Sequence, residues 1–167
     1  MLHIYHGDGK GKTTAAMGLA LRMAGRGKRA VIAQFLKCED SGERLALARL
    51  PGVELLPLPD CLPFTFQLTD QQREEERERY SQMLARLHTL APQADLLVLD
   101  EVCDAVDCGL VPIDEVLLLL GNFSGEAVLT GRQGQPELLS RADYVTRMEK
   151  ERHPFDRGLD AREGVEW

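Results

Sequence analysis

The chain has 167 residues, of which 44% are hydrophobic and 28% are charged, and its net charge is −7 at pH 7. This length suits a single domain, residues 1–167, whose core needs no disulfide or metal. The acidic balance argues against nucleic-acid binding, which depends on Lys and Arg neutralising phosphates. The longest apolar run, residues 116–120, is too short to cross a bilayer, and the start of the chain does not resemble a secretory signal. We therefore expect a cytoplasmic protein without membrane contact.

In chain order, residues 2–5 predict a first strand, and residues 13–24 predict a helix from their apolar periodicity. An apolar, β-branched segment at 29–36 predicts a buried strand. Residues 37–50 should hold a turn and a short helix. A short strand starting at Val53 then leads into a proline-rich loop over 57–69.

The second half begins with a long charged helix over 70–91, capped by Thr69 or Asp70. Strands are predicted at 94–101, 126–131 and 143–149, and helices at 112–121 and 136–142, followed by an ordered loop to the end of the chain. The strands at 94–101 and 126–131 are apolar without alternation, as expected when helices cover both faces of a sheet. This order predicts an α/β fold with a parallel sheet between two helical layers.

Four cysteines occur, at positions 38, 61, 103 and 108. Their spacing contains no C-x-x-C pair and no zinc-like arrangement with histidine. We interpret them as reduced cysteines of an intracellular protein.

The glycine-rich stretch HGDGKGKTTAA, residues 6–16, joins the first strand to the first helix. A Walker A motif places a glycine, four residues and G-K-[ST] at this junction, so that backbone N–H groups wrap phosphates and the hydroxyl binds a metal. Gly11, Lys12 and Thr13 complete the motif, but its first position is His6, and glycines at 7 and 9 stand in for the missing one. A purely structural turn is the alternative. Dinucleotide binding is disfavoured because Lys12 occupies the third glycine position of that fingerprint.

A second segment supports nucleotide binding. The strand LLVLDE, residues 96–101, ends in Asp100 and Glu101, as in a Walker B segment whose carboxylate reaches Mg²⁺ directly or through water. The basic residues of the first 37 positions suit an anionic ligand, although Arg26, Lys28 and Arg29 could simply solvate a turn. The fold expected is thus a three-layer, P-loop NTPase-like (RecA-like) sheet.

Several further segments resemble one family, the ATP:corrinoid adenosyltransferases of the CobA type. They are GDGKGKTTAA, QFLK at 34–37, SGE at 41–43, FTF at 64–66, VLDE, TGR at 130–132 and HPFDRG…AREGVEW at the end. The resemblance implies transfer of the 5′-deoxyadenosyl group of ATP to the Co(I) of a reduced corrinoid, with release of triphosphate. The co-substrate is then ATP, the metal Mg²⁺ or Mn²⁺, and the substrate a corrinoid.

The resemblance also implies the roles of individual residues. Lys12 and Glu101 are expected to be catalytic, Thr13, Glu101 and Asp100 to serve the metal, and Phe64 and Phe66 to lie against the corrinoid. The residues expected to bind ATP occupy the loop and the start of the helix: Gly7, Asp8, Gly9, Lys10, Gly11, Lys12, Thr13 and Thr14.

The resemblance further implies a homodimer, with a flavin-type reductase as a candidate electron donor. Some family members carry an N-terminal extension before the first strand, and here we expect its role to be absent or to be taken by another segment such as the tail. For His153 and Asp156 we favour a structural role, because displacement by cobalt moves no proton. Arg132 could contact phosphate or lie on the surface. The alternatives are a small P-loop phosphotransferase and a non-catalytic regulator that binds ATP and corrinoid.

Overall fold

The structure, a computed structural model, describes residues 1–38, 41–59 and 68–165. Its strands are β1 Leu2–His6, β2 Ala30–Gln34, β3 Val53–Leu55, β4 Leu96–Asp100, β5 Glu126–Thr130 and β6 Tyr144–Arg147. Its α-helices are α1 Lys12–Ala24, α2 Gly42–Leu47, α3 Asp70–Leu90, α4 Val102–Asp107, α5 Ile113–Gly121 and α6 Pro136–Leu139. Short 3₁₀ helices cover Ala91–Gln93 and Pro154–Arg157.

The described strands form a six-stranded sheet in the order β3-β2-β4-β5-β1-β6, and all its pairings are parallel. Every strand therefore ends at the same edge of the sheet, which we call the carboxyl edge, and begins at the opposite amino edge. Ligands of open α/β sheets bind outside the carboxyl ends of the strands. The common direction of the strands therefore indicates that a functional site lies at the carboxyl edge.

Alternate side chains of the central strands enter two separate cores. Ile32, Val98 and Val128 pack with helix α1 on one face of the sheet. Their sequence neighbours, such as Leu97 and Leu129, pack with helices α3, α4 and α5 on the other face. Because successive residues of a strand point to opposite faces, this division gives three layers. The predicted α/β fold, a P-loop-type parallel sheet between two helical layers, is confirmed.

Helix α3 begins where the sequence predicted, and Thr69 rather than Asp70 is its cap. The Thr69 hydroxyl accepts a hydrogen bond from the Gln72 amide, and the Gln72 side chain accepts one from the Thr69 amide. This reciprocal capping box satisfies two amide donors at the start of the helix.

Helix α4 is absent from the sequence-based prediction. It has six residues and starts directly after Glu101, which adopts the left-handed conformation at φ 60°. So short a helix leaves no periodic signal in the sequence. Strands β2, β4 and β6 are also shorter than predicted, with five, five and four residues.

Among the described residues, no helix combines the length and the apolarity needed to cross a bilayer. Two residues predicted to contact the corrinoid, Phe64 and Phe66, lie outside the described residues, as does Cys61. The three described cysteines are free thiols, and burial raises the pKa of the Cys103 thiol to about 12. An unreactive structural thiol is expected from such a pKa.

Candidate active site

The glycine-rich loop follows β1 at the carboxyl edge, and its glycines have identifiable steric reasons. Gly7 has a φ of 112°, and a Cβ there would overlap the carbonyl oxygen of Met148. A Cβ on Gly9 would lie 2.8 Å from the same oxygen, to which the Gly9 amide donates at 2.8 Å. The segment after β6 therefore crosses directly over the loop. Larger residues at positions 7 and 9 would push the two segments apart.

Lys12 opens helix α1, whose N-cap is Gly11 at φ 109°. The Lys12 ammonium donates to the carbonyl oxygens of Gly7 and Gly9, both at 2.7 Å, and so lies across the loop. Burial lowers the pKa of Lys12, while the carboxylate of Asp104 acts in the opposite direction. The positive end of a 13-residue helix and a lysine held over a glycine-rich loop together form an anion-binding arrangement.

Asp100, the last residue of β4, is fully buried and accepts four side-chain hydrogen bonds. The hydroxyls of Thr13 and Thr130 donate to its Oδ1 at 2.9 and 2.7 Å. The Gln34 amide and the Lys37 ammonium donate to its Oδ2 at 3.1 and 2.9 Å. The predicted Walker A threonine and Walker B aspartate are thus in direct contact. Strand β5 supplies Thr130, and strand β2 and the turn after it supply Gln34 and Lys37.

Glu101 follows Asp100, and its side chain is about one-third exposed (33%) at the edge of this cluster. Burial and the charge of Asp100 raise the pKa of Glu101 to about 7, while the Lys37 ammonium, 3.9 Å from its Oε1, acts the other way. The Glu101 amide donates to the Thr130 hydroxyl at 2.7 Å, which fixes the left-handed turn after β4. The side chain is the more accessible carboxylate of the pair.

The TGR segment after β5 links the loop to helix α4. The Arg132 carbonyl accepts a hydrogen bond from the Gly7 amide at 2.9 Å, and the Arg132 amide donates to both carboxylate oxygens of Asp104, at 3.0 and 3.1 Å. A Cβ on Gly131 would lie 2.5 Å from that of Cys103, so the contact between β5 and α4 requires glycine. The main chain of Arg132 therefore has a structural role, which the sequence alone did not predict.

Four other residues singled out from the sequence lie in the loop or directly beside it. Asp8 accepts a hydrogen bond from the Lys150 amide at 3.1 Å, which lowers the pKa of its carboxyl group. The Lys10 ammonium is exposed and donates to the Val165 carbonyl at 2.6 Å. Thr14 is exposed in the first turn of α1, and His6 accepts a main-chain hydrogen bond from the Met148 amide at 2.7 Å.

The tail residues with acid/base side chains make local contacts. His153 Nδ1 accepts a hydrogen bond from the Phe155 amide at 3.2 Å, and Asp156 pairs with the Lys150 ammonium at 3.0 Å. Both contacts stabilise the turn around the second 3₁₀ helix. They agree with the structural role favoured for these two residues.

Gln34, Lys37 and Thr130 belong to the site, yet their roles were not predicted. Each lies in a short fragment, QFLK or TGR, that carried the family resemblance. The resemblance of these two fragments to the family was the signal available in the sequence. It does not indicate what each residue does, because only the fold places the ends of β2 and β5 beside β4.

The loop, the lysine across it and the threonine–aspartate contact define a P-loop nucleotide-binding protein of the α/β class. The family model of the ATP:corrinoid adenosyltransferases BtuR/CobO/CobP matches residues 1–167, and the chain belongs to this family. It is accordingly an enzyme of the transferase class, which adenosylates corrinoids with ATP. The resemblance found in the sequence is confirmed, and neither a phosphotransferase nor a non-catalytic regulator is favoured.

Curated relatives agree over nearly the full chain. The corrinoid adenosyltransferase of Pseudomonas aeruginosa is 32% identical over 170 residues, which cover 100% of this chain and 83% of that protein. Corrinoid adenosyltransferase CobA of Salmonella typhimurium is 31% identical over 167 residues, 98% of this chain and 84% of that protein. The corrinoid adenosyltransferase of Escherichia coli strain K12 is 30% identical over the same length and with the same coverage.

Proposed function

We propose that this chain transfers the 5′-deoxyadenosyl group of ATP to the Co(I) centre of a reduced corrinoid. The cobalt electron pair attacks C5′ of the ribose, a Co–C bond forms, the C5′–O bond breaks, and its electrons leave with inorganic triphosphate. The observation that carries the proposal is the loop with Lys12 held across it and Thr13 bonded to Asp100. It supplies a site for a polyphosphate in a chain of this family.

The chain's own residues would act mainly on the leaving group. Negative charge develops on the triphosphate as the C5′–O bond breaks, so positive groups held in place beforehand lower the barrier. We assign the largest share to Lys12, whose ammonium is already fixed by two loop carbonyls. Other amides of residues 7–14 would complete the cradle, but not those of Gly7 and Gly9, which donate to the carbonyl oxygens of Arg132 and Met148. Lys10 would contribute less, because its ammonium is directed to the tail.

The metal proposed for the site is Mg²⁺ or Mn²⁺, and the donor set fits a hard cation. Thr13 and Glu101 offer oxygen ligands, and the Thr13 hydroxyl donates its proton to Asp100, so its lone pairs stay available. Asp100 is buried and accepts four hydrogen bonds. We therefore propose that it orients the Thr13 side chain and does not itself bind the metal. Among the described residues, no group of three or more His, Cys, Asp or Glu forms a protein cage for a metal. Mg²⁺ characteristically uses one or two protein ligands together with substrate phosphates, and it would neutralise charge on the triphosphate.

We propose that Phe64 and Phe66 form an apolar wall against the corrinoid. Such a wall would exclude water and a lower axial ligand, which favours four-coordinate Co(II), the form that is easier to reduce. Phe66→Ala should then slow the reaction that starts from Co(II) and spare the reaction of chemically prepared Co(I). Equal losses in the two anaerobic assays would remove this role.

A cytoplasmic location and a single domain over 1–167 are proposed from the length and the composition of the sequence. A homodimer and a flavin-type reductase as electron donor are proposed from the family resemblance. Size-exclusion chromatography with light scattering tests the first of these. Reduction of Co(II) corrinoid by a purified flavin reductase in the presence of this chain tests the second.

The central test is anaerobic. Protein, Mg²⁺, ATP and chemically reduced corrinoid are mixed, the loss of the Co(I) spectrum is followed, and the phosphate product is identified. A light-sensitive Co–C product formed together with triphosphate is the expected result. An unchanged Co(I) spectrum would overturn the proposal, and ADP formation on adding other acceptors would point to a phosphotransferase.

A further inference from the structure

The turns after two neighbouring strands share an unusual backbone. Leu36 follows β2 at φ 54° and Glu101 follows β4 at φ 60°, and these are the non-glycine residues with positive φ in the described ranges. Left-handed backbone at a non-glycine residue is strained, and it persists where the surroundings hold it. Both turns lie at the carboxyl edge beside Asp100. The turn at Glu101 serves a proposed ligand, which raises the question of what the turn at Leu36 serves.

Helix α3 holds the Leu36 turn in place. The Leu36 amide donates to the Tyr80 hydroxyl at 3.0 Å. Tyr80 is itself 1% exposed, and its ring packs at 5.2 Å from that of Phe35. The Phe35 amide donates to the Asp100 carbonyl at 2.8 Å, so β2 and β4 stay joined up to the turn. The next residue after this fixed turn is Lys37.

The Lys37 ammonium lies among three carboxylates. It is 2.9 Å from Asp100 Oδ2, 3.9 Å from Glu101 Oε1 and 3.8 Å from Glu43 Oε1. Within residues 1–38, 41–59 and 68–165, Lys37 is the cation hydrogen-bonded to the fully buried Asp100. A buried carboxylate is tolerated when a cation and hydrogen bonds compensate its charge.

A second contact restrains the same Asp100 oxygen. Gln34 donates to Oδ2 at 3.1 Å, and its own amide oxygen accepts from Arg44 at 2.9 Å. Arg44 also donates to the Leu56 carbonyl at 2.9 Å, so Gln34 is held from the far side. With Oδ2 held by Gln34 and Lys37, Oδ1 faces the hydroxyls of Thr13 and Thr130.

We propose that Lys37 is a positioning residue for the metal–triphosphate site. Its ammonium holds the Asp100 carboxylate in the orientation that aligns Thr13, and it separates the charges of Asp100 and Glu101. The inference deepens the proposed function and rests on it for the identity of the ligand. Lys37 would act on Thr13 through Asp100, and on Glu101 directly across 3.9 Å.

The test is the affinity for ATP, measured by calorimetry in the absence of corrinoid, with Mg²⁺ and with EDTA. Lys37→Met should weaken ATP binding in Mg²⁺ by about tenfold, a typical loss for partners of metal ligands, and leave binding in EDTA unchanged. Lys37→Arg should restore most of the Mg²⁺-dependent affinity. Tyr80→Phe keeps the ring and removes the hydroxyl that holds Leu36, and it should give a smaller loss of the same kind.

Lys28→Met is the matched control, because Lys28 also lies 2.9 Å from an aspartate, Asp95, but at the amino edge. It should bind ATP like the wild type under both conditions. Equal affinities of Lys37→Met and wild type in Mg²⁺ would overturn the inference. A loss as large in EDTA as in Mg²⁺ would also overturn it, since Lys37 would then act on the nucleotide itself. If Lys37→Met does not fold, Tyr80→Phe decides between the same outcomes.

The proposed function can fail separately from this inference. Wild type that binds ATP with a Mg²⁺-dependent affinity but forms no Co–C product would overturn the proposed function and leave Lys37 testable. Wild type whose ATP affinity does not depend on Mg²⁺ would overturn the Lys37 role whatever product is formed.

Discussion

The two edges of the sheet carry the same kind of ion pair in different surroundings. At the amino edge, Lys28 and Asp95 are 2.9 Å apart with side chains 53% and 38% exposed. At the carboxyl edge, Lys37 and Asp100 are also 2.9 Å apart, but their exposed fractions are 22% and 0%. An exposed pair contributes little to stability, whereas removing one partner of a buried pair leaves an uncompensated charge. Burial rather than distance therefore separates the functional edge from the solvated one.

The largest effect is expected at the lysine across the loop. Lys12→Ala should reduce kcat/KM for adenosyl transfer by at least about 100-fold, the scale found when one preorganised donor to a developing charge is removed. Lys28→Ala at the amino edge is the control and should keep wild-type turnover. Steady-state rates with Co(I) corrinoid measure both, and near-normal turnover of Lys12→Ala would remove Lys12 from the mechanism.

Glycine substitutions compare the two edges sterically. Gly7→Ala combines a φ of 112° with a Cβ that overlaps the Met148 carbonyl, and we expect the free energy of unfolding to fall by about 2–3 kcal/mol. Gly27→Ala, in the turn at the amino edge, has a φ of 71° with nothing within 4 Å of the added Cβ. This substitution should lower the free energy of unfolding by about 1 kcal/mol, the cost of left-handed backbone at a residue with a Cβ. Urea unfolding gives both values, and equal losses would show that contact with Met148 has no energetic consequence.

The ion pairs themselves can be compared by stability. Lys37→Met should lower the free energy of unfolding by about 2 kcal/mol, because it leaves a buried acceptor without its charged donor. Lys28→Met should leave the denaturation midpoint unchanged, since water replaces the lost contact. The same urea titrations measure this pair, and a midpoint for Lys37→Met that matches Lys28→Met would contradict the contrast drawn from burial.

The smallest effect is expected within the carboxyl edge. Lys10 is exposed and its ammonium donates to the Val165 carbonyl, so Lys10→Ala should reduce turnover only a few-fold. Lys12 and Lys10 are two residues apart, and their difference would show how far the site extends along the loop. A loss for Lys10→Ala as large as that for Lys12→Ala would place Lys10 on the triphosphate.

The elements that follow from local rules were predicted well. The helix at 13–24 follows from apolar periodicity, and Thr69, one of the two caps predicted for α3, is the cap observed. The strand ending at Asp100 follows from an uninterrupted apolar run. Helix α4 was not predicted, because a six-residue helix that begins after a left-handed residue has no local signature in the sequence.

The sequence by itself determined the phosphate loop, the alternation of strands and helices, and the family, because these depend on glycine, lysine and apolar residues at short spacing. Only the tertiary structure decided how the site is held together. Thr13 and Asp100 are 87 positions apart and Lys37 and Asp100 are 63 apart, so no local pattern links them. The need for glycine at positions 7 and 9 likewise comes from Met148, which arrives with the last strand of the sheet. Contacts of this kind arise when parallel strands bring distant segments to one edge, and their strength depends on burial that only the folded chain provides.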